Sequence, residues 1–357
     1  MWFLWGGFIG FVLLLLALDL GVFHRKAHVV RVPEALLWSA VWVSLGLSFS
    51  IFIYHGYEGH WCGLGTTIDA VDGLKNDGWT ATGKYLTGYV VEKSLSVDNI
   101  FVIAMIFAFF GVPPLYQHRV LIWGILGALV MRGVMIVVGA KLIAEFHWVL
   151  YLFGAFLIGT AVKMLILKPE QGAPDLNLLV RLTRRYFPVT SLYHGEHFFV
   201  RAGAPSASES ETPGVAALPD QAVDQATPGT LMITPLALAL IVVESTDVVF
   251  AVDSIPAIFA ITADPFLVFT SNVFAMLGLR SLYFALAGML DKFRYLKVSL
   301  ALVLLVVGIK MFVAEWLKVS LGKHFNLYLL GVIFSILSTG VITSWMADHR
   351  DNGRLKQ

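Results

Sequence analysis

The sequence predicts an all-α, polytopic transmembrane bundle of about nine helices, and three observations carry that prediction. Of 357 residues, 58% are hydrophobic and only 14% are charged, against about 25% charged in an ordinary soluble chain. Apolar runs at 3–18, 101–112, 121–138 and 296–313 approach or reach the roughly 20 residues that a helix needs to cross a hydrocarbon core. Strands that alternate apolar and polar positions, as a membrane barrel requires, are missing. Backbone groups in lipid must bond within the protein, so helices remain.

The first helix is read over 2–22. No basic segment precedes its apolar stretch and no small-x-small site follows it, so it reads as a retained span rather than a signal peptide. Helices follow at about 36–54, 86–111, 119–143 and 146–167. The segment 201–229 is rich in Ala, Pro, Ser and acids and has no aromatic residue, which is the composition of a disordered linker. Beyond it come helices at about 230–261, 266–290, 296–317 and 326–346. The expected organisation is a two-helix segment at 1–60, a three-helix unit at 86–167, a loop with the linker at 168–229, a second three-helix unit at 230–318, and a last helix with its tail at 326–357.

Nine helices put the termini on opposite sides. Arg25, Lys26 and Arg31 follow the first helix, and Lys168, Arg181, Arg184, Arg185 and Arg201 follow the fifth. Lys292, Arg294 and Lys297 follow the seventh, and Arg350, Arg354 and Lys356 lie in the tail. All fall on one side, and the second loop opposes them with Glu58, Asp69, Asp72 and Asp77 against Lys75 and Lys84. The positive-inside rule then places the N-terminus outside and the C-terminus in the cytoplasm, with Lys318 and Lys323 as the counter-signal. The net charge of +1 gives no electrostatic footprint for nucleic acid, and oligomeric state is not legible.

The halves share a pattern. Glu92 is followed six positions later by Val97-Asp98-Asn99-Ile100, and Asp247 is followed six positions on by Val252-Asp253-Ser254-Ile255. Met131-Arg132-Gly133 matches Leu279-Arg280-Ser281, and Gly159 to Met164 matches Gly308-Ile309-Lys310-Met311. Three likenesses in the same order imply a repeat, and a unit of three helices forces the second copy to run in the opposite sense. Inverted repeats of this kind place a substrate near the midplane.

Six acids (Asp19, Glu92, Asp98, Glu244, Asp247 and Asp253) and four bases (Arg132, Lys163, Arg280 and Lys310) are read inside the spans. Each costs about 2.5–3.5 kcal/mol at mid-bilayer even on the gentler scale, so all must face inward or reach the interface. Pairing leaves two negative charges, which one divalent cation or two protons would balance. The acids are flanked by Ser94, Ser96, Asn99, Ser245, Thr246 and Ser254, with no His or Cys nearby. Oxygen donors suit Mg²⁺, Ca²⁺ and Mn²⁺. The candidate ligands are Asp98, Asp253, Glu92, Asp247, Glu244, Asn99 and Ser254. No organic cofactor is expected, and the single cysteine, Cys62, excludes a thiolate site and a disulfide framework. One straight helix cannot aim Glu244 and Asp253 at the same ion, so either a break at Pro256, which would free the Val252 carbonyl, or an ordinary proline kink there is expected. Arg132 and Arg280 are read as partners of the surplus acids, Lys163 and Lys310 as snorkelling bases near helix ends, and Asp19 as meeting the basic loop's charges or metal.

These residues resemble the TerC family of integral membrane proteins. The likeness rests on Asp19 to Lys26, on Glu92 to Asn99, on Glu244 to Pro256 and on Ser271 to Ser281, and it covers roughly 19–318. It implies Mn²⁺ export across a bacterial inner membrane with the motif acids as ligands, and an association with tellurium resistance, for which no thiol beside the acids offers direct chemistry. The chain departs from the pattern in its linker and second loop. Three readings stay open: transport, including a Ca²⁺ or cation–proton antiporter; a membrane hydrolase using paired carboxylates, although His-Glu-x-x-His and Gly-x-Ser-x-Gly are missing; and a partner-binding subunit without transport. Transport of Mn²⁺, rather than an enzyme activity, is the expectation.

Overall fold

A computed structural model describes residues 2–21, 32–146, 148–166, 187–190, 192–202, 227, 229–286, 296–321 and 325–354. Helices α1 (Trp2–Gly21), α2 (Val32–Glu58), α3 (Gly78–Phe110), α4 (Pro114–Glu145) and α5 (Val149–Ile166) form the first half. The second contains α6 (Pro235–Phe259), α7 (Pro265–Met276), α8 (Leu279–Leu286), α9 (Leu296–Leu321) and α10 (Phe325–Arg354). Among the described residues, seven segments, α1 to α6 and the α7–α8 pair, are long and apolar enough to cross a membrane, and α9 and α10 hold shorter apolar stretches. The chain is therefore an all-α polytopic membrane protein. The whole 168–185 stretch of the basic loop, the linker core at 203–226 and the bases Arg25, Lys26, Arg31, Lys292, Arg294, Lys323 and Lys356 lie outside the described residues.

Several boundaries differ from the sequence reading. Helix α3 starts eight residues early because Asp77 caps it, its carboxylate accepting from the Thr80 amide at 2.7 Å. Lys84, counted above as a loop charge, is consequently a buried helix residue, and Glu58 belongs to α2. The sixth helix starts at Pro235 behind the Thr234 cap. The residues before it form a two-stranded antiparallel ribbon, β1 (Phe199–Arg201) with β2 (Leu231–Ile233), which the all-helix reading did not contain.

The expected break at Pro256 is not where the backbone interrupts. Helix α6 runs through Pro256 to Phe259; a proline this close to the end can cost only the bond to the Val252 carbonyl. The interruption falls in the next span, where Leu277 is extended and Gly278 takes φ +81°. A Cβ at Gly278 would also press on Trp42 of α2, so both conformation and space call for glycine there.

Packing explains which faces meet lipid. Among the described side chains of α1, Phe8, Val12 and Leu16 are the buried ones, one stripe at a spacing of four, while Trp2, Phe3, Leu13 and Leu14 are exposed apolar residues that suit a lipid contact. Helices α5 and α9 cross closely because a glycine on each opens the way: a Cβ on Gly154 would lie 3.3 Å from the Gly308 carbonyl, and one on Gly308 would lie 3.1 Å from that of Gly154. Gly159, aligned with Gly308 by the repeat pattern, faces open space instead. The α7–α8 span is buried along most of its length and is the axle against which α2, α3 and α4 pack.

Candidate functional site

The centre of the site is Arg132, supplied by the middle of α4 and almost fully buried. Its guanidinium meets the Glu92 carboxylate of α3, the Asp247 carboxylate of α6 at 3.4 Å, the Ser254 hydroxyl of α6 at 3.3 Å and the Asn272 side-chain oxygen of α7 at 3.3 Å. Four helices thus converge on one cation. Among the described residues, Oε2 of Glu92 and Nδ2 of Asn272 have no hydrogen-bond partner although both are buried, which is uncommon for native polar atoms.

Glu244 reaches the same wall by another route. Its carboxylate lies directly over Gly127 of α4, where any Cβ would overlap it. Beside the cluster a cleft is lined by Asn99 of α3, Gly124 and Ala128 of α4, Thr246 and Asp247 of α6 and Tyr283 of α8. The Asp247 side chain keeps 15% of its surface exposed whereas Glu92 keeps none. The cluster therefore has one sealed acid and one acid at the cleft.

The sequence-derived residues divide as follows. Glu92, Asp247 and Ser254 are brought together by Arg132, with Asn99 buried on the cleft wall and Glu244 against α4. Asp98 lies in α3 and Asp253 in α6, but their side chains fall outside the described ones. Arg280, just after the α7–α8 break, bonds Asp19 of α1 at 2.8 Å, so Asp19 meets a helix arginine, while the basic loop at 22–31 lies outside the described residues. Lys163 is exposed near the end of α5, in keeping with snorkelling. Lys310 is not: it is buried, and its ammonium donates to the Ala260 carbonyl at 2.6 Å.

Sequence reasoning missed three contributors. Asn272 stands in an apolar run beside Ser271, a polar pair in a span that could have flagged it. Lys93 follows Glu92 directly and donates to the Ala275 carbonyl at 3.0 Å and the Leu277 carbonyl at 3.3 Å. The third is a second buried network, where Lys84 bonds Asp69 and Asp72 at 2.8 Å each and the Asn76 oxygen at 2.6 Å. Adding Lys84 and Lys93 to the helix bases undoes the balance of six acids against four. Among the described residues, no group of three His, Cys, Asp or Glu is disposed to hold a metal ion.

The family model described as integral membrane protein TerC family matches residues 77–352. A Myxococcus xanthus membrane protein, STKORF319, is 46% identical over 341 residues, 96% of this chain and 91% of its own length. Alx of Escherichia coli strain K12, provisionally described as a membrane-bound redox modulator, is 41% identical over 353 residues, 98% of this chain and 97% of its own. A Rickettsia bellii membrane protein is 37% identical over 342 residues, 95% of this chain and 98% of its own. No solved structure matches the chain. With a buried acid–arginine cluster at the meeting of its long apolar helices, and matches of this extent, the chain belongs to the TerC family of integral membrane proteins.

Proposed function

We propose that the chain is a transporter rather than an enzyme, and that it exports a hard divalent cation, Mn²⁺, as its substrate. The observation that carries this reading is the convergence of acids from α3 and α6 on Arg132 beside a cleft, with one oxygen of Glu92 left unfilled. Carboxylate, amide and hydroxyl oxygens from Glu92, Asp98, Glu244, Asp247, Asp253, Asn99 and Ser254 make a donor set for a hard cation. Most of the Arg132 contacts, at 3.3–3.4 Å, are longer than the roughly 2.7–2.9 Å of a strong charge-assisted bond. The guanidinium thus neutralises the acids without saturating them, and a divalent ion reaching the cleft competes with it for the same oxygens. In this reading the two halves are inverted repeats, Asp98 and Asp253 are symmetry mates at the midplane, and the protein sits in a bacterial inner membrane with its C-terminus in the cytoplasm.

The description of Alx as a redox modulator fits this chain only indirectly. Cys62 is its single cysteine, so no intramolecular dithiol couple exists, whereas control of the supply of a redox-active metal would alter redox state without a thiol. The test is Mn²⁺ flux per folded molecule in proteoliposomes, with Ca²⁺ and Mg²⁺ as competitors. Asp98→Asn and Asp253→Asn should reduce flux to background while the protein stays inserted and folded. Wild-type flux from both would sink the proposal, and hydrolysis without ion flux would favour the paired-carboxylate enzyme.

A further inference from the structure

The α7–α8 break leaves a helix C-terminus inside the bundle. Such an end carries unsatisfied carbonyls and the negative pole of the helix dipole. In broken-helix transporters, unwound carbonyls and half-helix C-termini hold the coupling Na⁺ or proton. Here the same position is met by a side chain. The Lys93 ammonium, from α3, donates to the carbonyls of Ala275 and Leu277 at 3.0 and 3.3 Å, one on the last turn of α7 and the other on the extended residue of the break. The geometry around it is fixed from both sides: Glu92, the preceding residue, is held by Arg132, and Arg132 also bonds Asn272 of α7.

We propose that the α7–α8 break is a carbonyl cation site whose occupant is the tethered ammonium of Lys93, standing where a free monovalent cation would otherwise bind. Two backbone carbonyls and the negative pole of a helix dipole are the kind of ligand and field that a Na⁺ or K⁺ site uses, and the chain supplies the charge covalently. Two consequences follow. The native protein has no need of Na⁺ or K⁺ at this position, and removing the ammonium while keeping the side-chain volume creates a site for a small monovalent cation. The inference does not depend on which ion the Arg132 cluster carries.

The experiment is thermal unfolding of the purified full chain in detergent, in NaCl, KCl and choline chloride at equal ionic strength, choline being too large for the site. Lys93→Met should be destabilised in choline and recover saturably in Na⁺ or K⁺ by about 2–4 °C or more. Wild type and Lys93→Arg should not distinguish the three salts. A folded Lys93→Met protein with no saturable preference for Na⁺ or K⁺ overturns the proposal. If Lys93→Met does not fold in any salt, Lys93→Gln decides: stability that depends on Na⁺ or K⁺ supports the site. Wild-type stability in all three salts would mean that a neutral donor suffices, and loss of stability without a salt preference would mean that no cation can take the place; either sinks it.

Discussion

Two buried ionic clusters, one on Lys84 and one on Arg132, are built from the same materials and finished differently. Around Lys84 the charged contacts are short. Asp69 takes the ammonium at 2.8 Å, the Thr262 hydroxyl, and the Val71 and Ala263 amides at 3.0 and 2.9 Å, and Asp72 shares the same ammonium. This cluster pins the 59–77 loop to the start of α3 and to the turn before α7. Around Arg132 the bonds to Asp247, Ser254 and Asn272 are long, two buried polar atoms lack partners, and a cleft reaches one of the acids. On the proposed function, the tightly bonded network holds the fold together, whereas the looser one beside a cleft keeps oxygen available for an incoming ion. In that reading the difference separates structural from functional charge where composition cannot.

The contrast breaks most readily at Lys84. Lys84→Met strands two acids that are almost wholly buried, at 0% and 1% side-chain exposure, and removing one member of such a network costs about 3–5 kcal/mol. We expect a severe fall in the fraction of monodisperse protein on size exclusion, with near-normal Mn²⁺ flux for whatever folds. Arg132→Gln should cost less, near the lower end of that range, because the amide still donates and Asp247 can draw on the cleft. Its flux per folded molecule should nevertheless change by more than that of Lys84→Met. Equal flux for the two variants would erase the functional distinction between the clusters.

Much of this was legible in the sequence, and the reasons are physical. Lipid leaves only helices, so length and hydropathy gave the spans, and the expense of mid-bilayer charge singled out Glu92, Arg132 and Asp247. What composition could not show was pairing across helices. Arg280 and Arg132 look equivalent in their motifs, yet one meets Asp19 of α1 and the other meets α3 and α6. Lys163 and Lys310 are aligned by the repeat pattern, yet one is exposed and the other buried. Proline drew the expected break to Pro256, although a proline in the last turn has little helix left to interrupt. Gly278, in a Leu-Gly-Leu-Arg run, was the better signal, but its meaning depends on the approach of Trp42, which no local pattern contains.

The finest comparison lies within the Lys84 network, between two carboxyls with opposite acid–base behaviour. Burial pushes the Asp69 carboxyl up, but the Lys84 ammonium and the hydrogen bonds from Lys84, Thr262 and Ala263 outweigh it and hold it below its ordinary value. Asp264, the cap of α7, goes the other way: burial and then the nearby Asp69 charge raise it, against the Tyr57 hydroxyl and the amides of Phe266 and Leu267. A lowered folded pKa gives stability that is present above the unfolded value and lost as pH falls through the folded one, whereas a raised pKa gives stability that is present below the unfolded value and lost as pH rises through the folded one. Asp69→Asn should therefore lower stability at neutral pH and flatten its acid limb. Asp264→Asn keeps a cap of equal quality and removes a charge that the folded state disfavours, so near pH 7 it should unfold at the same temperature as wild type or roughly 2 °C higher, a gain of under about 1 kcal/mol for a chain of this size. Thermal unfolding between pH 4 and pH 8 reads both. A fall in stability for Asp264→Asn at neutral pH, comparable to that of Asp69→Asn, would mean that its carboxylate is ionised and paired like the rest of the network, and the two carboxyls would then play one role rather than two.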